Sequence, residues 1–569
     1  MAIGHGHRGL AAVALAVLIE CAARAAAPAA CRPALSELDV AHGFAFARDC
    51  GMPPRLASRF AAAANRAARQ AGLATDQRAA YAVAVNVLLQ TVPAHAIENL
   101  VPRLAALAGL GDRDFATQAQ AWRVHYRALL AGTALVSTSD PLERTIDAAI
   151  ARGDLDRAAA ALGEALAETP VPEPVAAARR LQAALIEWLR FEPERAVAHA
   201  RYAHALAPDD LEIAAVYAEL LDATQRREEA QRLYDGLLAR YQVLAQDKPD
   251  IWRPRVAVLL MRTGRLYAAL RLPQDAETAF MHALGIEWRL SRAAPAVYAP
   301  LVVQAFDALG VLYRDERRFD DAIVVSREAL ALERALAAGD AAAYEPALAS
   351  TLNDLGVLYD LVRRMPEALE SFGEALSIER RLVLANPATA SPMLARTLSN
   401  LGNALSDARR LSDAEQAYTE ALAIRRTLAR ESEAVHGAEV ARTLNNLGVL
   451  YRMQGRMGAS LGAYRSALRI FRTLAAAAPL SYRADEARTL NNLGVLYGAM
   501  QHPHAAERAY RRAIACYAAL AKAEPTAYRS DYARVLDNLA RLFNDTGRTQ
   551  EAESLRRDAA GLVAAARGR

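Results

Sequence analysis

The sequence predicts an all-α fold of stacked antiparallel helix pairs, and three observations carry that expectation. Hydrophobic residues make up 53% of the 569-residue chain but aromatic residues only 6%, so Ala, Leu and Val dominate. Ala and Leu favour helices, and the aromatic and β-branched residues that build sheets are thin. One segment recurs every 46 residues through the C-terminal half, and in each copy the apolar residues fall at helical spacing on one face. With 23% charged residues the chain is not a disordered one, and 29 Gly and 24 Pro are too few for a low-complexity or collagenous chain. The 68 basic and 64 acidic residues leave a formal charge of +4, too balanced for a dedicated nucleic-acid binder. Only Lys248 and Lys522 are lysines, so 66 of the basic residues are Arg, a bias that reads as GC-rich coding rather than function.

The N-terminus has the layout of a secretory signal peptide. Arg8, with His5 and His7, forms a short basic start, and Leu10 to Ile19 is a run without charge. That run is too short to span a bilayer, which needs about 20 apolar residues. Small-x-small cleavage sites follow at Ala23-Arg24-Ala25 and Ala25-Ala26-Ala27, so residues 1–27 are expected to be removed and the protein exported, periplasmic or secreted. An Ala-rich core helix, with a cytoplasmic location, is the alternative. Cys21 does not make a lipoprotein signal, because Glu20 stands where a small residue is needed. Cleavage leaves Cys31, Cys50 and Cys516. Cys31 and Cys50 are expected to pair in an oxidising compartment, with two buried free thiols as the alternative. Cys516 lies in a helical stretch and reads as core.

Residues 32–140 are helical by composition but have no register, and are expected to be a helical N-terminal region that caps the repeats. Residues 141–258 carry weaker, repeat-like helices: Ala196 and Ala230 stand 34 apart, and Ala158 marks one more degenerate copy. Residues 259–565 form seven 46-residue repeats. The string Ala441 to Tyr451 (ARTLNNLGVLY) returns unchanged at Ala487 to Tyr497. Gly falls at 264, 310, 356, 402, 448 and 494, with Ala540 last; Ala falls at 283, 329, 375, 421, 467, 513 and 559. A second small column runs through Ala414, Ser460, Ala506 and Ala552.

Each repeat reads as two helices. In the best-formed copy the first is expected from about Asp485 to Met500, and the second, with Pro503 in its first turn, to about Lys522. A loop carrying Pro and Tyr, as at Pro525 and Tyr528, is expected before the next first helix. Leu444, Leu447, Gly448 and Tyr451 share one face of the first helix, and Arg442, Asn445, Asn446 and Val449 the opposite one, turned by about 200°. The apolar face should pack on the second helix of its own repeat, with the glycine allowing close approach.

This pattern resembles the tetratricopeptide repeat family, which has a small residue at position eight, an aromatic at eleven, Ala at twenty, an aromatic at twenty-four and Ala at twenty-seven. With Gly448 as the eighth position, Tyr451, Ser460, Tyr464 and Ala467 fall on those places. The long repeat and its Thr-Leu-Asn-Asn-Leu opening are similar to the kinesin-light-chain type. The resemblance covers roughly residues 177–565. It implies a right-handed superhelical solenoid whose first helices line an inner groove. In that family the places held here by Arg442, Asn445, Asn446 and Val449 face the groove.

The groove positions repeat as columns: Arg396, Arg442, Arg488 and Arg534; Asn353, Asn445 and Asn491; Asn400, Asn446, Asn492 and Asn538. Side-chain amides offer a donor and an acceptor to each backbone amide of an extended peptide, and arginines offer forked donors to acidic side chains or a C-terminus. The competing reading is structural: the asparagines tie neighbouring helices together and the arginines pair with acids such as Asp485 or Glu486.

Catalytic chemistry is not apparent. Gly458-Ala459-Ser460-Leu461-Gly462 matches a nucleophile elbow, but that motif needs a strand before the serine, and here Ser460 sits in a small-residue column. The eleven histidines are scattered, and there is no zinc spacing, phosphate loop or dinucleotide fingerprint. The sequence therefore predicts a non-catalytic scaffold, without metal, cofactor, nucleic acid or stable membrane span, binding a protein or extended peptide in the groove. A structural adaptor acting through the outer face of an envelope assembly, and an enzyme or regulatory module in residues 32–140, are the alternatives.

Overall fold

The computed structural model describes residues 141–567 except 168–171, 386, 432, 478 and 524–527, together with scattered residues between 63 and 129. The expected signal segment 1–27, Cys31 and Cys50, and most of 32–140 lie outside the described residues. Among the described residues there is no strand. Within residues 141–247 the structure describes six helices: α1 (Pro141–Ala151), α2 (Leu155–Ala167), α3 (Glu173–Leu189), α4 (Pro193–Leu206), α5 (Leu211–Ala223) and α6 (Arg227–Asp247). Then the 46-residue period takes over. The first helices are α7 (Pro249–Ala269), α9 (Pro295–Asp315), α11 (Ala341–Leu361), α13 (Pro387–Asp407), α15 (Glu433–Met453), α17 (Pro479–Ala499) and α19 (Arg529–Asp545). The second helices are α8 (Pro273–Ala293), α10 (Phe319–Gly339), α12 (Met365–Ala385), α14 (Leu411–Glu431), α16 (Met457–Ala477), α18 (Pro503–Ala523) and α20 (Thr549–Arg567). The chain forms two compact units, divided between Thr351 and Leu352 within α11.

Most first helices start earlier than the sequence indicated; α19 does not, since it begins at Arg529 with Tyr528 before it, and Pro525 lies outside the described residues. α17 begins at Pro479, so the Pro–Tyr segment expected to be loop is the first turn of the helix. Pro295, Pro387 and Pro479 are first helical residues, where the missing N–H has no intrahelical partner to lose. A second proline column, Pro254, Pro300, Pro346 and Pro392, lies inside the first helices.

The turn between paired helices is uniform for a backbone reason. Its middle residue is left-handed in all seven repeats: Arg271, Arg317, Arg363, Arg409, Gly455, Gln501 and Gly547. The N–H of the next residue then reaches back to a carbonyl of the last helical turn, as Arg456 does to Tyr451 at 2.8 Å and Arg548 to Phe543 at 2.7 Å. This closes the first helix as a Schellman cap. The same arginines lie over those rings, Arg456 at 4.4 Å and Arg548 at 3.7 Å. They also meet a glutamate of the preceding second helix, Glu415 and Glu507 respectively, each at 2.8 Å.

Packing inside a repeat follows the glycine column. A Cβ built on Gly448 would lie 2.5 Å from the Tyr464 ring, so only glycine lets α16 seat that ring against α15. Tyr464 and Ala467 are fully buried, as are Leu444, Leu447 and Leu450 across from them. Ser460 is also buried, and its hydroxyl donates to the Gly448 carbonyl at 2.7 Å. It is a helix–helix contact, as its place in the small column indicated.

Between repeats a column of buried acids recurs. Glu287, Glu333 and Glu379 stand at the same place on α8, α10 and α12 and are at most 2% exposed. Thr397 on α13 donates to Glu379 Oε1 at 2.8 Å, while the second oxygen of each of the three glutamates has no hydrogen-bond partner. Burial pushes these carboxyls up, to about 8 for Glu287 and about 7 for Glu333 and Glu379. In the next repeat the place is taken by Arg425, which donates to Thr443 Oγ1 at 2.5 Å.

α9 is long and apolar enough to cross a membrane by length and composition. It is a repeat first helix, packed against α8 and α10 with Val302, Phe306 and Leu309 buried. Cys516 on α18 is a free, half-buried thiol whose pKa burial raises.

Candidate functional site

In the second compact unit the first helices touch one another across repeats, α13 on α15, α15 on α17 and α17 on α19, as well as packing on second helices. They form one continuous layer, and the asparagine and arginine columns sit along it. The two asparagine columns have different roles. Asn353, Asn445 and Asn491 are buried. Asn400, Asn446, Asn492 and Asn538 are half-buried. The columns are tied across repeats: Asn400 Nδ2 donates to Asn353 Oδ1 at 2.9 Å, Asn492 to Asn445 at 3.1 Å and Asn538 to Asn491 at 2.9 Å. The ladder breaks once, where position 399 is serine. Ser399 donates to its own helix, and Asn446 turns instead to Asn403 Oδ1 at 3.2 Å. Asn403 also accepts from the Tyr418 hydroxyl at 2.5 Å.

This arrangement leaves one face of each second-column amide for a ligand. An asparagine has two N–H donors and a carbonyl acceptor. One N–H points to the neighbouring repeat, which fixes the plane of the amide. The other N–H and the oxygen of Asn400, Asn492 and Asn538 have no protein partner among the described residues. The buried first column acts as the anchor rather than the contact.

The arginines are paired. Arg442 reaches Glu439 on its own helix and Asp485 on the next first helix, the latter at 2.9 Å. Arg488 meets the same Asp485, Arg534 meets Asp531, and Arg396 lies 3.8 Å from Asp354. Arg425 adds a 3.3 Å contact to Glu439 from behind. The result is a chain of alternating charge, Arg425–Glu439–Arg442–Asp485–Arg488, running across three repeats. Burial opposes the charge of Arg442, but Asp485 and Glu439 outweigh it and hold this guanidinium above the ordinary arginine range. The track is therefore polar and forked but close to neutral. The sequence did carry a signal for this: Glu439, Asp485 and Asp531 stand three residues before Arg442, Arg488 and Arg534 at the same period.

In the first compact unit a cleft along α7 and α9 is lined by Arg265, Phe280, Asp307, Val311 and Asp315. Its walls bring together no nucleophile and base. Among the described residues no three His, Cys, Asp or Glu side chains gather as a metal site.

Comparison with known proteins bears on this layer. Four segments, residues 348–386, 394–429, 440–475 and 487–524, match the tetratricopeptide repeat family model. No curated protein matches the chain. Among solved structures, the chain is similar to BtubC (BKLC) from P. vanneervenii, with 24% identity over 44% of this chain and 93% of that one and a TM-score of 0.38. It is also similar to the apo form of RapI, with 15% identity over 54% of this chain and 98% of that one and a TM-score of 0.39.

Proposed function

Residues 348–524 carry tetratricopeptide repeats, and from that premise we propose that the chain is a non-catalytic scaffold that binds an extended peptide segment of a partner protein along its first-helix layer. The observation that supports this best is the asparagine ladder. Asn400, Asn492 and Asn538 each spend one N–H on the neighbouring repeat and keep a donor and an acceptor free at the surface. A row of such amides matches the alternating N–H and C=O groups of an extended backbone. Arg396, Arg442, Arg488 and Arg534 give the peptide's acidic side chains or C-terminal carboxylate a forked donor. They are already paired, so a ligand carboxylate exchanges with a protein one, and the arginines add selectivity more than affinity.

Export to the periplasm or medium, with loss of residues 1–27 and a Cys31–Cys50 bond, belongs to the same proposal and rests on the basic start, the uncharged run and the Ala-x-Ala sites. The test of the groove is positional. Peptides selected from a random library against the full chain should cross-link to a photoreactive residue placed at Val449, on the first-helix layer. They should not cross-link to one at Ala459 on α16. Labelling from Ala459 alone would move the site to the outer layer.

A further inference from the structure

The first helices of the second compact unit are electrically neutral one by one: α13, α15, α17 and α19 each hold as many acidic as basic residues. The basic excess lies on two second helices. α16 carries Arg465, Arg469 and Arg472 and no acid. α18 carries Arg508, Arg511, Arg512 and Lys522 against a single acid, Glu507. All of these basic side chains are exposed. On α16 they stand at i, i+4 and i+7, and on α18 at i, i+3, i+4 and i+14, so each helix turns one cationic stripe outward, with guanidinia about 6 Å apart along the axis.

Several arginines elsewhere in the fold are met by carboxylates of a neighbouring helix. Arg318 is held by Glu277 and Asp321, Arg456 by Glu415, and Arg548 by Glu507 and Glu551. On the two stripes acids are scarce. Arg472 and Arg512 share one carboxylate, Glu486, at 3.4 and 3.8 Å. Arg511 shares Glu507 with Arg548. Among the described residues, Arg465, Arg469, Arg508 and Lys522 have no acidic partner. The large apolar side chains of these helices, Tyr464, Leu468, Phe471, Tyr510 and Tyr517, are buried. The surface thus has no side chain to insert into a bilayer and no aromatic face on which a base could stack.

We propose that the outward face of α16 and α18 is a second docking surface, distinct from the groove, for an acidic segment of a partner protein whose carboxylates recur about once per helical turn. The one-turn spacing of guanidinia is the complement of that pattern, and guanidinium–carboxylate pairing between helices is the contact this fold already uses at Glu277, Glu415 and Glu507.

The probe is a fluorescein-labelled polyglutamate peptide, titrated into the full chain by fluorescence anisotropy. Saturable binding that weakens as salt is raised is expected. The variant Arg465→Glu/Arg469→Glu/Arg508→Glu should bind at least about tenfold more weakly, whereas a like charge change at exposed arginines of another second helix, Arg289→Glu/Arg292→Glu on α8, should leave binding as in the wild type. If the triple variant fails to fold, Arg465→Gln/Arg469→Gln keeps the helix and should still weaken binding severalfold. Equal affinity of wild type and outer-face variants would overturn the proposal. So would an absence of saturable binding to wild type, or tighter binding of duplex DNA or phosphatidylserine vesicles than of polyglutamate.

Discussion

Replacing Glu379 by Gln should make the protein less sensitive to rising pH, and the size of the effect follows from the surroundings of this one carboxyl. Glu379 is fully buried on α12. It has one hydrogen bond, from Thr397, and one oxygen without a partner. Burial raises its pKa to about 7 from 4.5, Thr397 opposes that shift, and the charge of Arg396 opposes it further. Well below 4.5 both folded and unfolded chains hold the proton, and the site costs nothing. Between 4.5 and 7 the unfolded chain ionises first, so stability falls as pH rises; above 7 the loss is complete. At about 1.4 kcal/mol per pKa unit, the share lost between pH 5 and pH 8 is roughly 2–3 kcal/mol. Gln keeps the shape and cannot ionise. Urea unfolding of both proteins at the two pH values isolates this site, because Glu287 and Glu333 are common to both and cancel in the difference. The variant should gain on the wild type by roughly 2–3 kcal/mol from pH 5 to pH 8. A difference independent of pH, or one of opposite sign, would refute the reasoning.

Other outcomes rest on the same structure. Gly448→Ala drives a methyl into the Tyr464 ring and should cost about 1–3 kcal/mol by denaturant midpoint. Ser460→Ala removes only a hydroxyl bonded to a helix carbonyl; it should cost no more than about 1 kcal/mol and leave ligand binding unchanged. Asn491→Ala removes a buried anchor for Asn538 and should cost roughly 1–2 kcal/mol, read by thermal melting. Intact-mass measurement of protein from its native host should find the first 25–30 or so residues gone and a further loss of about 2 Da for the Cys31–Cys50 bond. Full-length protein with reduced thiols would contradict export.

The helix pairs were legible because a 46-residue period writes the same packing seven times. The glycine opposite Tyr464 and the alanine column fixed which faces meet. The start of most first helices was not legible. Pro479 reads as a breaker on its own, and only its position at the first helical residue makes it compatible with the helix. The site was half legible. The columns were visible, but not that Asn445 and Asn491 are buried and support the next repeat, since the same Asn-Asn pair supplies both the anchor and the contact. Pairing of the arginines was foreseeable at Asp485, whereas the Arg425–Glu439 link crosses from a second helix and has no local signature. The buried glutamates escaped notice because a lone Glu on an otherwise amphipathic helix reads as solvent-facing.

Peptide binding along the first-helix layer stands most directly on the free edge of the asparagine ladder. The variant Asn446→Ala/Arg488→Ala trims two groove side chains whose structural partners keep another contact: Asn403 keeps Tyr418, and Asp485 keeps Arg442. A library-selected peptide should be titrated calorimetrically into wild type and this variant, with circular dichroism melting on both. The expected result is at least about tenfold weaker binding with an unchanged melting temperature. Unchanged affinity in a folded variant, or a collapsed melting temperature, would contradict it, the first by placing the ligand elsewhere and the second by making the ladder purely structural.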